Sequence, residues 1–214
     1  MLTSCDVSSL VIDKLCDQAR DQEAAVACFY FDFAARREQS STSVLGAVLK
    51  QVVGGLEEVP REIAWAYEHQ KKVIGGRGPE LADIVRMLQA TAFERPIFIC
   101  IDALDESVAG HRAKLLDSLN QVLQSSPGAR IFMTGRPHIQ SEVGNRLSGK
   151  VTTIRITPKN RDIISYLHSR LGEDTTPDAM DSSLKADILK KISQDISEVY
   201  VEATTSEKLP RVVH

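Results

Sequence analysis

The amino-acid sequence predicts an α/β fold in which a parallel sheet is covered by helices on both faces. Residues 24–33 and 97–101 form nearly continuous apolar runs, which is the pattern of strands buried on both faces. Segments between such runs place apolar residues at the 3.6-residue spacing of amphipathic helices. Strands that alternate with helices along a chain are joined by right-handed crossovers into parallel sheets.

The composition is that of one soluble domain. Of 214 residues, 43% are hydrophobic and 26% are charged, which suffices for a core without disulfides. The formal net charge of −3 gives no general attraction to nucleic acid or anionic membranes, so neither is predicted as a partner. No apolar stretch approaches the roughly 18–20 residues of a membrane span, and the N-terminus does not resemble a signal peptide. The four cysteines lack metal-ligand spacing, so we predict reduced thiols in a cytoplasmic protein.

The first half of the chain is predicted to contain one strand among helices. Apolar positions in its first segment recur near the helical period. Ser41 or Thr42 is suited to cap the next helix, and Gly54 with Gly55 is suited to end it. Pro79 suits the first turn of a later helix. The predicted order is helix 4–21, strand 24–33, helix 42–53, helix 60–72 and helix 79–93.

The second half is predicted to add three strands. The first of them, 97–101, ends at Asp102, and a turn at 125–128 precedes the next. Beyond Ser197 the periodicity is weak. We therefore predict one domain over residues 1–196 and a C-terminal tail, or the start of a following helical region, over 197–214. The predicted order is strand 97–101, helix 110–124, strand 129–134, short helix 137–147, strand 151–156, helix 160–171 and helix 178–196.

An acidic motif follows the second apolar strand, in the sequence P-I-F-I-C-I-D-A-L-D-E over residues 96–106. A carboxylate at the end of a buried strand lies at the carboxyl edge of the sheet, where α/β proteins form ligand sites. Asp102 there is suited to hold Mg²⁺, which prefers oxygen ligands. Asp105 and Glu106 are suited to orient or deprotonate an attacking water. The alternative is an acidic loop that only caps the following helix.

This motif resembles the Walker B motif of NACHT-type P-loop NTPases of the STAND class, in which a hydrophobic strand is followed by Asp, a small residue, a hydrophobic residue, Asp and Glu. Residues 29–33 resemble the aromatic second strand of fungal NACHT and nephrocystin-3-like N-terminal proteins, and residues 162–167 resemble the helix after their fifth strand. The resemblance covers about residues 7–196. It implies a three-layer P-loop NTPase-like sheet.

Arg136 follows the third strand in the sequence I-F-M-T-G-R-P, which resembles the fourth strand of that family with its sensor arginine. A guanidinium group presents a planar fork of donors that suits a γ-phosphate. The alternative is a surface arginine in a turn before Pro137.

The sequence has no G-x-x-x-x-G-K-[ST] loop between a strand and a helix, where such a loop binds phosphate. Residues 144–150 match the first seven positions, but they lead from a predicted helix into a predicted strand. The resemblance implies that the sequence starts after the phosphate-loop strand, which in the family lies between the strands matching 129–134 and 151–156. Without it, two strand edges would be left unpaired, so we predict either a rearranged sheet or a poorly stable fragment.

The resemblance implies a signal-transducing switch that binds Mg²⁺ with ATP or GTP and contacts protein partners through flanking domains. It assigns the metal to Asp102, water activation to Asp105 and Glu106, and nucleotide contact to Arg136. Because the phosphate loop is missing from the sequence, we predict that this chain alone binds ATP or GTP weakly or not at all and is inactive as an NTPase. Two alternatives stay open: a degenerate protein-interaction module and an unproductive fragment.

Overall fold

The computed structural model describes residues 4–56, 58–61, 63–65, 68, 78–147, 150–156, 160–172, 182–195 and 199–205. Most of the predicted helix over 60–72 lies outside these residues. The elements are α1 (Ser4–Gln22), β1 (Ala25–Tyr30), α2 (Ser41–Gly54), α3 (Leu81–Glu94), β2 (Ile97–Asp102), a 3-10 turn (Leu104–Glu106), α4 (Ala109–Ser125), β3 (Ala129–Gly135), a second 3-10 turn (Pro137–Ile139), α5 (Gln140–Arg146), β4 (Lys150–Ile156), α6 (Asn160–Gly172), α7 (Ser182–Asp195) and β5 (Val199–Thr205).

The predicted α/β fold is confirmed. Strands β1, β2 and β3 are adjacent and parallel, with Cys28 opposite Cys100 and Cys100 opposite Phe132. Helices flank this parallel part of the sheet, as the alternation of strands and helices predicted.

The main core lies between one face of the sheet and the helices α2, α3 and α4. Ile97, Ile99 and Ile101 point to this face from β2, and all three are fully buried. The neighbouring strands add side chains in the same register, among them Ala27 and Ile131. Helix α1 contacts all three parallel strands, and its Ser8 reaches Asp102, whose side chain points to the opposite face from that of Ile101. The sheet is therefore covered on both faces.

The start of α2 differs by one residue from the prediction. Its cap is Ser40, whose hydroxyl accepts a hydrogen bond from the Ser43 backbone N–H at 3.2 Å. Ser41 is instead buried and donates to the His111 carbonyl of α4 at 2.8 Å. Ser41 therefore joins two helices, because the chain enters α2 one residue earlier than the sequence pattern suggested.

Strand β1 is shorter than the predicted 24–33 and ends at Tyr30. The side chain of Asp32 accepts a hydrogen bond from the Ala34 backbone N–H at 2.8 Å. Such a contact turns the chain, so the last apolar residues of the run leave the sheet.

The C-terminal end of the described chain departs most from prediction. Residues Val199–Thr205 form strand β5, where the sequence had predicted a C-terminal tail or the start of a following helical region. The sheet order is β1-β2-β3-β5-β4, and β5 runs antiparallel to both of its neighbours. It therefore lies between β3 and β4, in the position that the family resemblance had assigned to a phosphate-loop strand. The two edges expected to be unpaired are paired, so of the two predicted outcomes the structure has the rearranged sheet.

Cys16, Cys28 and Cys100 are free thiols. Burial, followed by the charges of Cys28 and Cys16, raises the pKa of Cys100 to about 12. Cys100 is therefore an unreactive part of the sheet interior. Among the described helices, none combines the length and the apolar character that crossing a membrane requires.

Candidate functional site

The candidate site is the carboxyl edge of the parallel strands, where β2 ends at Asp102 and β3 ends at Gly135. Both strands run in the same direction, so the loops that follow them meet at one edge of the sheet. Asp102 itself is buried, with 3% of its surface exposed. A buried carboxylate requires hydrogen-bond partners, which define the inner part of the site.

Two hydroxyl groups hold the carboxylate of Asp102. Ser8 of α1 donates from its Oγ to Asp102 Oδ1 at 2.6 Å. Thr134 of β3 donates from its Oγ1 to the same oxygen. Asp102 thus links the first helix to two parallel strands.

The chain turns sharply after Asp102. Ala103 has φ 53° and ψ 44°, a left-handed conformation that is unfavourable for a residue with a Cβ. Its backbone N–H donates to Thr134 Oγ1 at 3.0 Å, and Leu104 follows as a fully buried anchor. Backbone strain of this kind persists only where the surroundings enforce it and is frequent at functional sites. The turn places Asp105 and Glu106 beside the end of β3.

Asp105 contacts Arg136 through both the backbone and the side chain of the arginine. The Arg136 backbone N–H donates to Asp105 Oδ1 at 3.2 Å, and Arg136 Nε lies 3.4 Å from Asp105 Oδ2. A Cβ at Gly135 would lie 2.7 Å from Ile139 Cδ1 and 3.5 Å from Asp105 Oδ1. The glycine therefore permits the close approach of the Ile139 side chain, whereas the distance to Asp105 is an ordinary van der Waals contact.

The ion pair between Asp105 and Arg136 is exposed on one side only. The side chain of Asp105 is 9% exposed, whereas that of Arg136 is 67% exposed. Most of the guanidinium group therefore faces solvent and is available to a ligand. When the arginine turns to a ligand, the nearly buried Asp105 carboxylate loses its cationic partner, so the ligand contact must compensate for that loss.

Glu106 occupies a partly buried position beside this pair. Burial raises the pKa of Glu106 above its ordinary value of 4.5, and the charges of Asp105 and Asp32 raise it further. A hydrogen bond from the Phe33 backbone and the charge of Arg136 act in the opposite direction. A carboxylate with a raised pKa is a better proton acceptor near neutral pH.

The structure brings the four predicted site residues to one edge of the sheet. Arg136 lies on the same side of the molecule as Asp102, connected through Asp105 and the adjacent Thr134. The acidic residues do not cap the helix that follows, because α4 has Val108 at its cap position with no side-chain cap hydrogen bond. The alternative of a purely capping acidic loop is therefore wrong.

Sequence reasoning missed Ser8, Thr134 and Gly135. Thr134 and Gly135 lie in the same short motif as Arg136, but their partners come from β2 and from the loop after it. Ser8 is separated from Asp102 by 94 positions in the chain. The first turns of α1, S-C-D-V-S-S, are rich in small polar residues, so no local pattern singles out Ser8.

The side chains around Asp102 present oxygen atoms, and oxygen is the ligand type that Mg²⁺ prefers. Within the part of the chain that the structure describes, no group of three or more His, Cys, Asp or Glu residues is arranged to hold a metal ion. Mg²⁺ is usually bound by one or two carboxylates together with waters and substrate phosphates. The residues therefore fit a magnesium ion that arrives with a phosphate ligand, and do not form a closed protein site.

Comparison with known families finds a match over more than half of the chain. The model of the family described as nephrocystin 3, N-terminal matches residues 7–136. This stretch begins in α1 and ends at Arg136, so it contains the four predicted site residues together with Ser8 and Thr134. No curated protein matches the chain.

Proposed function

The chain belongs to the nephrocystin 3 N-terminal family, and on this premise we propose that it is a domain of a signal-transducing nucleotide switch of the NACHT type. In such a switch, a nucleoside triphosphate with Mg²⁺ stabilises one arrangement of the domain, and slow hydrolysis releases it.

One observation supports this proposal above the others: the acid at the end of β2 and the arginine at the end of β3 lie on one rim. Arg136 Nε is 3.4 Å from Asp105 Oδ2, three residues after Asp102. A triphosphate with its metal requires carboxylates and a cationic donor within reach of the same oxygen atoms. The carboxyl edge supplies both.

Each residue has a role that its position suits. Asp102 would hold Mg²⁺, which when bound neutralises charge on the phosphates. Glu106, whose pKa is raised first by burial, would accept a proton from an attacking water, and Asp105 would help to orient that water. Ser8 and Thr134 fix the direction of the Asp102 carboxylate.

Arg136 would report which nucleotide is present. Without ligand, Asp105 holds its Nε and its backbone N–H. A γ-phosphate carries more negative charge than one carboxylate and accepts a bidentate contact, so it would draw the guanidinium away from Asp105. Loss of that phosphate would return the arginine to Asp105, and the loop after β3 would follow.

Nucleotide binding by this chain alone is expected to be weak or undetectable. The backbone amides and lysine of a phosphate loop supply most contacts to the phosphates, and the sequence has no such loop between a strand and a helix. Calorimetric titration with MgATP and MgGTP should show no saturable heat. A micromolar dissociation constant that Asp102→Ala abolishes would contradict this expectation.

The proposal is tested by adding a strand that ends in G-x-x-x-x-G-K-T ahead of α1 in a chain that lacks residues 199–205, because β5 occupies the position between β3 and β4 that this strand would take. The extended chain should bind MgATP or MgGTP, and both removal of Mg²⁺ and Asp102→Ala should weaken that binding. Arg136→Ala should reduce the preference for triphosphate over diphosphate. Asp13→Ala removes an exposed carboxylate from α1 and is the matched control, which should bind like the parent. Absence of heat for every nucleotide in a folded extended chain would end the switch proposal.

A second candidate function is a protein-interaction module that keeps the fold without binding nucleotide. The observation in its favour is that Asp102 is 3% exposed and already accepts two hydroxyl donors. On this hypothesis the carboxylate only ties α1 to the sheet. The same titration separates the two functions, because the module binds no nucleotide even when a phosphate loop is supplied.

A further inference from the structure

Strand β5 is central in the sheet although the chain reaches it last among the described strands. It forms six register pairs with β3 and seven with β4. Among the described strands, β4 pairs with β5 alone. The position of β4 in the sheet therefore depends on this one segment.

The space that β5 fills is bounded by two strands that run in the same direction. Strand β4 is antiparallel to β5, and β5 is antiparallel to β3, so β3 and β4 are oriented alike. We refer to this space, between Ala129–Gly135 and Lys150–Ile156, as the strand slot. Each of its two sides presents a ladder of backbone donors and acceptors, so any extended segment of suitable register can pair with both.

The resident segment is not an optimal occupant of a central strand. Its sequence V-Y-V-E-A-T-T over 199–205 is rich in residues that favour strands, except for Glu202. Glu202 is opposite Met133 on β3 and Thr153 on β4. Met133 is only 2% exposed, so an acidic residue occupies a register position next to the core. The segment is therefore held by its backbone pairing more than by its residue at the centre.

We propose that the strand slot is an exchangeable strand-binding site whose second occupant is the 199–205 segment of another copy of this chain. A segment of identical sequence restores every backbone pair in the same register, so exchange conserves the pairing of each chain. Exchange of an identical element is a low-cost route to a dimer. Among the described segments, only residues 199–205 have the sequence and length that reproduce the register with both β3 and β4.

The test uses two variants of the full chain that each carry one added cysteine. In both, the native Cys5, Cys16, Cys28 and Cys100 are replaced by alanine, because Cys100 lies opposite Phe132 and would compete for the new thiol. The two variants are mixed and then oxidised. Phe132 on β3 is opposite Ala203 on β5. Directly opposed residues of antiparallel strands have Cα atoms about 4.5–5.5 Å apart, within the range that a disulfide spans. A chain with Phe132→Cys and a chain with Ala203→Cys can form that disulfide only if the strand of one enters the slot of the other. A covalent heterodimer is therefore expected on a non-reducing gel.

Two controls make the result specific. Val199→Cys lies four positions from Ala203, about 13 Å along the strand, so its mixture with Phe132→Cys should give at least about tenfold less heterodimer. The Phe132→Cys variant oxidised alone measures cross-linking between copies that carry the same new cysteine. Glu202→Val improves the strand propensity of the resident segment and should slow formation of the heterodimer about fivefold.

The double variant Phe132→Cys/Ala203→Cys reports whether the resident strand occupies the slot within one chain. If it cross-links internally while the matched and mismatched mixtures give equal, low heterodimer, the strand does not exchange and the proposal is refuted. If it cross-links neither internally nor between chains, residues 199–205 do not occupy the slot, and the proposal is likewise refuted.

Discussion

At the scale of single residues, the carboxyl edge depends on a few polar contacts between distant parts of the chain. The Thr134 hydroxyl donates a hydrogen bond to the Asp102 carboxylate, and its oxygen accepts a hydrogen bond from the Ala103 backbone N–H. The same hydroxyl thus stabilises a buried carboxylate and a left-handed residue. The local geometry of Asp105 and Glu106 follows from this one side chain.

Thr134→Val keeps the shape of the residue and removes both contacts. Because a buried polar group left without a partner costs about 1–3 kcal/mol, we expect the free energy of unfolding to fall by roughly that amount. Urea denaturation followed by circular dichroism measures the change. Thr152→Val, at an exposed position of β4, is the control and should have a much smaller effect. An equal loss in both variants would show that the Thr134 hydroxyl contributes nothing specific.

The raised pKa of Glu106 predicts how the stability of the fold depends on pH. Because burial first, and then nearby charges, raise its pKa above 4.5 in the folded state, its charged form destabilises the fold. This cost is present at pH above the folded pKa and disappears as the pH falls below 4.5. Glu106→Gln should therefore raise the melting temperature at pH 7 and leave it nearly unchanged below about pH 4.

Thermal melts of Glu106→Gln at both pH values test this expectation. The exposed Glu94 provides the control. It lies just before the start of β2, at the opposite end of that strand from Glu106, so Glu94→Gln removes the same charge away from the carboxyl edge. A lower melting temperature at pH 7 for Glu106→Gln than for the control would contradict the sign of the effect.

At the scale of elements, the short turn after β2 and the long strand β5 behave differently. The turn Leu104–Glu106 is held by neighbours on β3, so its position is determined locally by the edge of the parallel sheet. Strand β5 has no such local support, because its pairing partners lie about 45 to 75 residues earlier in the chain. Strand β5 is therefore stabilised by its backbone pairing with β3 on one side and with β4 on the other.

Ala203→Pro tests the role of β5 as a central strand. Proline removes a backbone donor and is found in sheets essentially only at edges, so in β5 it should cost about 3 kcal/mol or more. The control Ala109→Pro lies at the first position of α4, where proline is tolerated. Denaturation midpoints of the two variants should differ clearly. Equal midpoints would show that β5 does not stabilise the sheet.

At the scale of the whole molecule, the family model covers residues 7–136, and the remaining C-terminal part of the chain lies beyond the match. The family match ends at residue 136, one residue after β3, so the parallel sheet and the candidate site lie within it. Strands β4 and β5 lie beyond it, and β5 joins them to the parallel part. The four predicted site residues therefore lie within the matched part, whereas the strand slot is bounded by β3 inside it and by β4 beyond it.

Much of the parallel part was predictable. The apolar runs at β1 and β2 identify strands buried on both faces, because both faces of such strands contact helices. Asp102 could be placed at the sheet edge because it directly follows such a run. The partners of Asp102 could not be predicted, since Ser8 and Thr134 are ordinary hydroxyl residues whose position depends on how α1 crosses the sheet.

The sequence by itself determined the alternation of helices and strands, the direction of β1 to β3, and the edge at which Asp102, Asp105, Glu106 and Arg136 meet. These follow from local periodicity and from the fixed handedness of crossovers. Only the tertiary structure decided which segment lies between β3 and β4 and in which direction it runs. Backbone pairing accepts almost any extended segment, so occupancy of that space depends on contacts between residues far apart in sequence, such as Phe132 and Ala203, which no local pattern encodes.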